Sequence, residues 1–399
     1  MGVGESVDSQ GDEVVYLDHA ATTPLRPEAR DAWVAASALS GNASSIHGEG
    51  QRSRRLLEES RERLAAVVNC DPIEIVFTSG GTESVNLGLK GLWWSRAAES
   101  DAIVSPQGEH HATLDTLEWL ASTEHAVLRP VALDDLGRIP VPAFIEALPG
   151  AALATALVAA NETGTINASA DLSLAAAAAG VPLHLDAIAA FGHVPVDFRG
   201  WRAGAPTGAG LVAMSLSAHK VGGPVGVGVL IAARTARLAA LVHGGGQQRR
   251  LRAGTQDVAG AAAFAVAAEL AAAELDSESA RLTLLRDELV RGILSSVPHA
   301  ELLGDAVDRL PGNAHLLFPG AAGETLLFLL DQQRIAVSTG SACQAGVPEP
   351  SHVVLALGRT DAEAREVLRF TLGRTSTAAD VHAVLEVLPE IVERARAAR

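Results

Sequence analysis

Between residues 102 and 185 the sequence alternates short apolar runs with stretches of helical periodicity. In chain order the predicted elements are strand 102–105, helix 114–121, strand 126–131, helix 141–148, strand 153–159, helix 172–179 and strand 182–185. Strands joined through helices form right-handed crossovers, which build a mostly parallel sheet covered on both faces. The predicted fold class is therefore α/β, and ligands in such sheets bind beyond the carboxyl ends of the strands.

Polar residues follow several of these apolar runs. His110, Asn161 and Asp186 each stand at or just after a predicted strand end. A further strand, 74–79, leads into Gly80-Gly81-Thr82 and then into a helical pattern, so backbone N–H groups and a helix dipole would face an anion there. The turn lacks the residues of a nucleotide loop, so a single phosphate fits it better. Taken alone, it is more often a simple tight turn.

Lysine is rare in this chain, which has only Lys90 and Lys220 among its 31 basic side chains. Lys90 lies in a helical pattern and is interpreted as a surface charge. Lys220 follows an apolar run and precedes Gly222, Gly223, Gly226 and Gly228, which allow the backbone to turn tightly and to approach a ligand closely. An amine in that place suits a Schiff base to a carbonyl cofactor. On this segment alone, an ordinary loop lysine is an equally good interpretation.

The two cysteines, Cys70 and Cys343, provide neither a disulfide framework nor a CxxC pair, so no metal site is predicted and a reducing compartment is expected. Cys70 ends a predicted helix and is interpreted as a packed apolar residue. Cys343 lies among small residues between Gly340 and Gly346, which suits a mobile loop. With no signal-peptide pattern, the predicted location is the cytoplasm.

The composition, with 48% hydrophobic and 20% charged residues, is that of a globular chain without a membrane-spanning run. A formal net charge of -16 argues against nucleic acid as a direct partner. We predict a disordered extension at 1–13, a large domain at 14–260, and a connecting helix with a small C-terminal domain at 261–399. The segment near 14–30 is a candidate for packing with the small domain.

The combined motifs resemble the cysteine desulfurases of the Isc/Nif type, within the class V family of pyridoxal-phosphate aminotransferases. The resemblance extends over about residues 14–396. Its motifs are YLDHAATTP, GNASSIH, FTSGGTES, EHHATLD, NETGT, HLDA, SAHKVGGPVGVG, HGGGQQRRLRAGT, STGSACQAG and LRFTLGRTS. The resemblance implies fold type I, with a large domain built on a seven-stranded type of sheet and a smaller α+β C-terminal domain.

The resemblance also implies how the cofactor, pyridoxal 5′-phosphate, is held. Gly81, Thr82, Ser217 and His219 would bind its phosphate, joined by Thr255 from a second subunit of an obligate homodimer.

Lys220 would form the Schiff base and move protons at the substrate carbon. Asp186 would pair with the pyridine nitrogen, and His110 would stack on the ring and assist proton transfer.

On the same basis, Asn161 and Arg369 would bind the carboxylate of L-cysteine, with Asn42 as a further substrate ligand. Cys343 would take the substrate sulfur as a persulfide and release L-alanine. The spacing from Cys343 to Arg369 resembles the long-loop branch of the family, which passes sulfur to iron-sulfur cluster scaffolds and tRNA-thiolation enzymes.

The sequence departs from the family pattern three positions after Asp186, where the usual glutamine is replaced by Ala189. One hydrogen bond to the cofactor's phenolic oxygen would be lost, worth about 1 kcal/mol. We expect the cofactor still to bind, with altered protonation and slower turnover. Two alternatives remain at this stage: another class V activity such as selenocysteine lyase or aminotransferase, and a sulfur-relay scaffold of low activity.

Overall fold

The computed structural model describes residues 14–340 and 349–398. Its strands are β1 (Val15–Tyr16), β2 (Ile75–Thr78), β3 (Ala102–Pro106), β4 (Val127–Val131), β5 (Ala151–Leu157), β6 (Pro182–Asp186), β7 (Gly210–Ser217), β8 (Gly228–Ala232), β9 (Glu301–Leu302), β10 (Asn313–Leu317), β11 (Ile335–Ala336) and β12 (Val367–Thr371). Its α-helices are α1 (Pro27–Ser37), α2 (Gly48–Val67), α3 (Gly81–Trp94), α4 (His111–Glu124), α5 (Val141–Ala147), α6 (Ser169–Ala178), α7 (Phe198–Trp201), α8 (Val258–Ser296), α9 (Gly323–Gln332), α10 (His352–Ala356), α11 (Asp361–Ala364) and α12 (Ala378–Ala397). The predictions for residues 1–13 and for Cys343 lie outside the described residues.

A seven-stranded sheet in the order β2-β8-β7-β6-β5-β3-β4 organises the larger part of the described chain. Every pairing is parallel except the two made by β8, so the predicted α/β class with a mostly parallel sheet is confirmed. The sequence analysis missed β8, because the glycines at its start were interpreted only as turn residues. Gly228 is required there by close packing: a Cβ would lie 2.5 Å from the backbone carbonyl carbon of Gly80.

Two hydrophobic cores lie along the single helix α8. Small buried residues of its first half, such as Ala261 and Ala268, belong to the core around the large sheet. Leu282, Leu289 and Ile293 in its second half belong to the core around β10, β12 and α12. The helix is long and apolar enough to cross a membrane, but half of its most apolar window is buried inside the protein, as expected of a core helix.

The N-terminal strand packs with the C-terminal part of the chain. β1 pairs in parallel with β11, and Leu17 is fully buried in the second core. A three-stranded antiparallel sheet, β12-β10-β9, completes this part. The domain limits at 260 and 261 stay a prediction, because α8 passes through both cores without a break.

Candidate active site

A cavity of about 380 Å³ lies beyond the carboxyl ends of β5, β6 and β7, where residues from β12 and from the segment after β1 close it. This is the edge at which a parallel sheet gathers polar side chains. The predicted site residues that line it are Gly81, Thr82, His110, Asn161, Asp186, Ser217, His219, Lys220 and Arg369. Most of the predicted site residues are thus brought to one cavity.

One side of the cavity is suited to an anion. Gly81 begins α3, so the free N–H groups of that helix's first turn face the cavity. A Cβ at Gly81 would lie 2.4 Å from Cδ1 of Ile188, so a larger residue there would require that side chain to move. The Oγ of Ser217 is buried and has no hydrogen-bond partner within the described chain. His219, next to it, contacts the Thr22 hydroxyl through Nδ1 at 3.2 Å.

Lys220 ends a short 3₁₀ turn that follows β7, and its Nζ reaches back across the cavity. The ammonium donates hydrogen bonds to the backbone carbonyls of Ala20 and Ala21, the latter at 3.0 Å. Burial lowers the pKa of Lys220 to about 8, helped by the positive charge of Arg369. The amine can therefore lose its proton near neutral pH, as a nucleophilic lysine must.

Asp186 is the last residue of β6 and is 2% exposed. Its Oδ1 accepts a hydrogen bond from the N–H of Ile188 at 2.9 Å. Burial raises the pKa of Asp186 to about 6, although that hydrogen bond and the charge of Lys220 act in the opposite direction. The carboxylate is thus mostly ionised at neutral pH and is placed to hold a cationic group.

His110 forms the N-cap of α4, with Nδ1 accepting from the N–H of Ala112 at 3.0 Å. Its ring lines the open cavity and is exposed to solvent there, although protein surrounds it on most sides. This burial, followed by the charge of Lys220, lowers the pKa of His110 to about 4. Since Nδ1 is an acceptor, the neutral ring carries its proton on Nε2, the nitrogen left to meet a ligand.

Arg369, on β12, closes the opposite side of the cavity. Its Nη1 donates to the backbone carbonyl of Asn161 at 3.0 Å, and its Nη2 pairs with Oδ1 of Asp18 at 3.1 Å. Its Nε is buried and has no hydrogen-bond partner among the residues described. The backbone of Ser338 pairs with that of Arg369. Ser338 and Gly340 therefore line the same side of the cavity as Arg369.

Three predicted site residues are not seen in this cavity. Thr255 and Asn42 are exposed and do not line it, and the Asn42 amide oxygen caps its own loop through the N–H of Ser44 at 2.9 Å. Cys343 lies outside the described residues. The roles predicted for all three stay predictions. Cys70 is buried, and burial raises the pKa of its thiol to about 12, which fits the interpretation as a packed residue.

The sequence analysis missed four contributors to the site. The carbonyls of Ala20 and Ala21 hold Lys220, and Asp18 pairs with Arg369, although all three belong to the YLDHAATTP stretch. Glu109 is fully buried beside Asp186, and burial, together with that neighbouring negative charge, raises its pKa to about 8. In the sequence, only the position of Glu109 directly before His110 indicated that it could belong to the site.

The cavity fits the pyridoxal 5′-phosphate that the resemblance implies. The orphaned Ser217 hydroxyl and the free amides at Gly81 match a phosphate group, and the buried Asp186 carboxylate matches a protonated ring nitrogen. Lys220 supplies the amine, with a lowered pKa, within the same cavity.

The sequence pattern described as Aminotransferase class-V matches residues 15–384. An "IscS-like cysteine desulfurase" of Mycobacterium tuberculosis is 48% identical, with 96% of this chain and 98% of that protein aligned. A "Cysteine desulfurase" of Cereibacter sphaeroides is 39% identical, with 96% and 97% aligned.

Solved structures agree with these sequence matches. A "NIFS-LIKE PROTEIN" superposes with a TM-score of 0.88 at 29% identity, covering 96% of this chain and 100% of that one. A structure described as "SspA in complex with cysteine" has a TM-score of 0.77 at 29% identity, covering 90% and 98%. On the matched span and these identities, the chain belongs to the class V aminotransferase family.

Proposed function

We propose that this protein is a pyridoxal-phosphate-dependent cysteine desulfurase, which converts L-cysteine to L-alanine and transfers the sulfur to Cys343. The observation that carries the proposal is the meeting of Lys220 and Asp186 in one cavity beside unsatisfied phosphate donors. The cysteine desulfurase names of relatives up to 48% identical over nearly the whole chain support the same activity.

Residues of the large sheet would hold the cofactor. The amides at Gly81 and Thr82, with Ser217 and His219, would bind the phosphate, and Asp186 would keep the ring nitrogen protonated. When bound, pyridoxal phosphate acts as an electron sink that labilises bonds at the substrate's α-carbon.

Two side chains are placed to move protons. Lys220 can exchange a proton near neutral pH, because burial holds its pKa at about 8. His110 stays neutral with a proton on Nε2, so it would assist proton transfer by donating a hydrogen bond to a substrate group that gains negative charge. Both side chains line the same cavity.

The C-terminal side of the cavity would bind the substrate carboxylate. Arg369 offers a planar guanidinium whose Nε has no partner within residues 14–340 and 349–398, and the Asn161 side chain lines the cavity beside it. The role of Cys343 as the sulfur acceptor rests on the sequence alone. Its persulfide would carry the sulfur to a protein acceptor.

We further propose a cytoplasmic homodimer that serves iron-sulfur cluster scaffolds or tRNA-thiolation enzymes. Thr255 is exposed in the single chain, as a residue that completes a neighbour's phosphate site would be. Several large apolar side chains are also exposed, among them Trp33, Val34 and Val225, and a partner subunit would cover such surface. Light scattering of the purified protein tests the dimer directly.

The decisive experiment measures L-alanine formed from L-cysteine by the purified, cofactor-loaded protein, with and without a thiol acceptor. We expect stoichiometric alanine and a persulfide located on Cys343 by mass spectrometry. A Cys343→Ala variant should lose this transfer, whereas the matched Cys70→Ala variant should keep it. Full sulfur release by Cys343→Ala would instead favour another class V activity.

A further inference from the structure

The turn after β5 carries a buried carboxylate that the proposed mechanism does not use. Glu162 follows Asn161 directly and is 2% exposed, and its Oε2 accepts a hydrogen bond from the Ser351 hydroxyl at 2.5 Å. Ser351 is itself fully buried and caps α10, because its Oγ accepts from the N–H of Val354 at 3.1 Å. The hydroxyl therefore uses both its donor and its acceptor, and Glu162 fixes where α10 begins.

The same carboxylate lies against a second point of the chain. A Cβ built at Gly340 would lie 3.1 Å from Oε2 of Glu162 and 3.2 Å from Nε2 of His315. Gly340 also has a φ of 87°, in the left-handed region that favours glycine. Gly340 and Ser351 stand on either side of Cys343 in the sequence, so both flanks of that segment converge on one side chain.

Three side chains from the C-terminal part of the chain hold the backbone around Glu162 through hydrogen bonds to its carbonyls. Asn313 on β10 donates through Nδ2 to the carbonyl of Glu162 at 3.1 Å, and Arg309 donates to the carbonyl of Thr163 at 2.6 Å. The carbonyl of Asn161 accepts from Arg369 at 3.0 Å. The carboxylate thus projects from a turn that is fixed to the cavity wall.

We propose that Glu162 is a positioning residue, which holds both flanks of the Cys343-bearing segment, Gly340 and Ser351, against the wall formed by Asn161 and Arg369. The significance for catalysis rests on the proposed function, because it concerns where the acceptor thiol stands relative to the substrate sulfur. Misplacing reacting groups by about 1 Å can cost on the order of 100-fold in rate.

Hydrogen exchange of the full-length, cofactor-loaded protein tests the anchoring without relying on turnover. In Glu162→Ala, we expect exchange to rise about tenfold at the amide of Val354, which bonds to the Ser351 hydroxyl that Glu162 orients. We expect a rise also at the amide of Gly340, which bonds to the Ser338 hydroxyl, because Gly340 loses its packing against the carboxylate. In Ser351→Ala, the rise should be confined to Val354. Unchanged exchange at Gly340 and Val354 in Glu162→Ala, with changes only at 160–165, would overturn the proposal.

Kinetics test the consequence for the reaction. We expect kcat for alanine formation to fall about tenfold in Glu162→Ala, with KM for L-cysteine and cofactor absorbance within about twofold of the wild type. Glu162→Gln keeps an oxygen that can accept from Ser351, so it should recover most of the rate. Equal losses in Glu162→Gln and Glu162→Ala would contradict the hydrogen-bond anchor.

A matched control removes a similar bond elsewhere. Asp380 accepts from the Thr377 hydroxyl at 3.0 Å at the start of α12, and Asp380→Ala should leave kcat and the exchange of both flanks unchanged. If Glu162→Ala does not fold, Ser351→Ala decides, and a wild-type kcat in that variant overturns the proposal. A wild-type protein that forms no alanine contradicts the proposed function alone, because the exchange result does not depend on turnover.

Discussion

The two walls of the cavity differ in how far their polar groups are already hydrogen-bonded within the protein. The strand-end wall, formed by Gly81, Asp186, Ser217 and Lys220, is unsatisfied on its phosphate side, where the buried Ser217 hydroxyl has no partner in the described chain. The C-terminal wall, formed by Ser338, Gly340 and Arg369, is internally paired. There, two of the three guanidinium nitrogens of Arg369 already bond to other groups.

This difference indicates two kinds of binding. A phosphate at Gly81 and Ser217 gains hydrogen bonds without breaking existing ones there, which favours a permanently held cofactor. A carboxylate on the C-terminal wall must compete with Asp18 for Arg369, which favours a substrate that enters and leaves at every turnover. The following predictions test this comparison.

Removing the amine of the strand-end wall should have the largest effect. Lys220→Ala should lower kcat for alanine formation by about 10⁴-fold, because it removes both covalent attachment and proton transfer. The other lysine provides the control: Lys90 lies 4.5 Å from the ring centre of Trp119, away from the cavity, and Lys90→Ala should keep full activity. Comparable losses of activity in both variants would show that the loss is not specific to the lysine in the cavity, which would contradict the role given to the strand-end wall.

The same amine should set the pH dependence of cofactor loading. Only the neutral amine reacts, so a pKa of about 8 predicts a loading rate that rises about 50-fold from pH 6 to pH 8 and then levels off. An unperturbed lysine, with a pKa of 10.5, would keep gaining beyond pH 9. Stopped-flow absorbance after mixing apo-protein with pyridoxal phosphate distinguishes the two profiles.

On the C-terminal wall, Arg369→Lys should act mainly on substrate binding. A lysine keeps the charge but loses the planar fork, so we expect KM for L-cysteine to rise about tenfold while kcat changes less. Cofactor affinity, measured by absorbance titration, should stay at the wild-type value. A loss of cofactor in this variant would show that Arg369 also contributes to cofactor binding, so the two walls would not bind different ligands.

A smaller effect of opposite sign is expected from the partner of Arg369. Asp18→Asn removes the charge that competes with the substrate carboxylate, so KM should fall about threefold, the scale of a modest ion pair. Glu301→Gln, which breaks the ion pair with Arg359 outside the cavity, is the control and should leave KM unchanged. A rise in KM for Asp18→Asn would mean that Asp18 orients Arg369 rather than competes for it.

The sequence predicted the strand-end wall better than the C-terminal wall, and chain distance explains why. Asp186 ends one buried strand and Lys220 ends the short turn after the next, so local patterns place them at one sheet edge. Asp18 meets Arg369 because β1 pairs with β11 and Asp18 itself bridges to Thr371, contacts between residues more than 300 positions apart. No periodicity or turn signal encodes such a pairing, and only the resemblance pointed to Arg369.

Interpretation of the local sequence also failed at Gly228, which follows a turn but is itself the first residue of a strand. Gly228 was interpreted as part of a turn, although it opens β8 and lies against the backbone of Gly80 at the phosphate turn. A glycine forced by close packing and a glycine forced by a turn look alike in one sequence. The antiparallel strand between β2 and β7 could therefore be found only from the structure.

The last predicted effect, on cofactor binding rather than on substrate binding, concerns the gap in the strand-end wall at Ala189. This residue lines the main cavity and an adjoining cavity of about 40 Å³, which gives a longer side chain part of the room it needs. Ala189→Gln would add a donor near the cofactor's phenolic oxygen, and one hydrogen bond should raise cofactor affinity about fivefold. The donor stabilises the deprotonated oxygen, so the pH-dependent change in the visible spectrum should move to lower pH.

Ala170→Gln, on the exposed face of α6, is the matched control and should leave affinity and spectrum unaltered. Arg369 and Asp18 are untouched in both variants, so KM for L-cysteine should hold while the spectrum moves. That combination would locate the missing interaction on the strand-end wall. A spectrum identical to the wild type in Ala189→Gln would instead mean that this wall is already complete, with alanine at that position leaving no bond unmade.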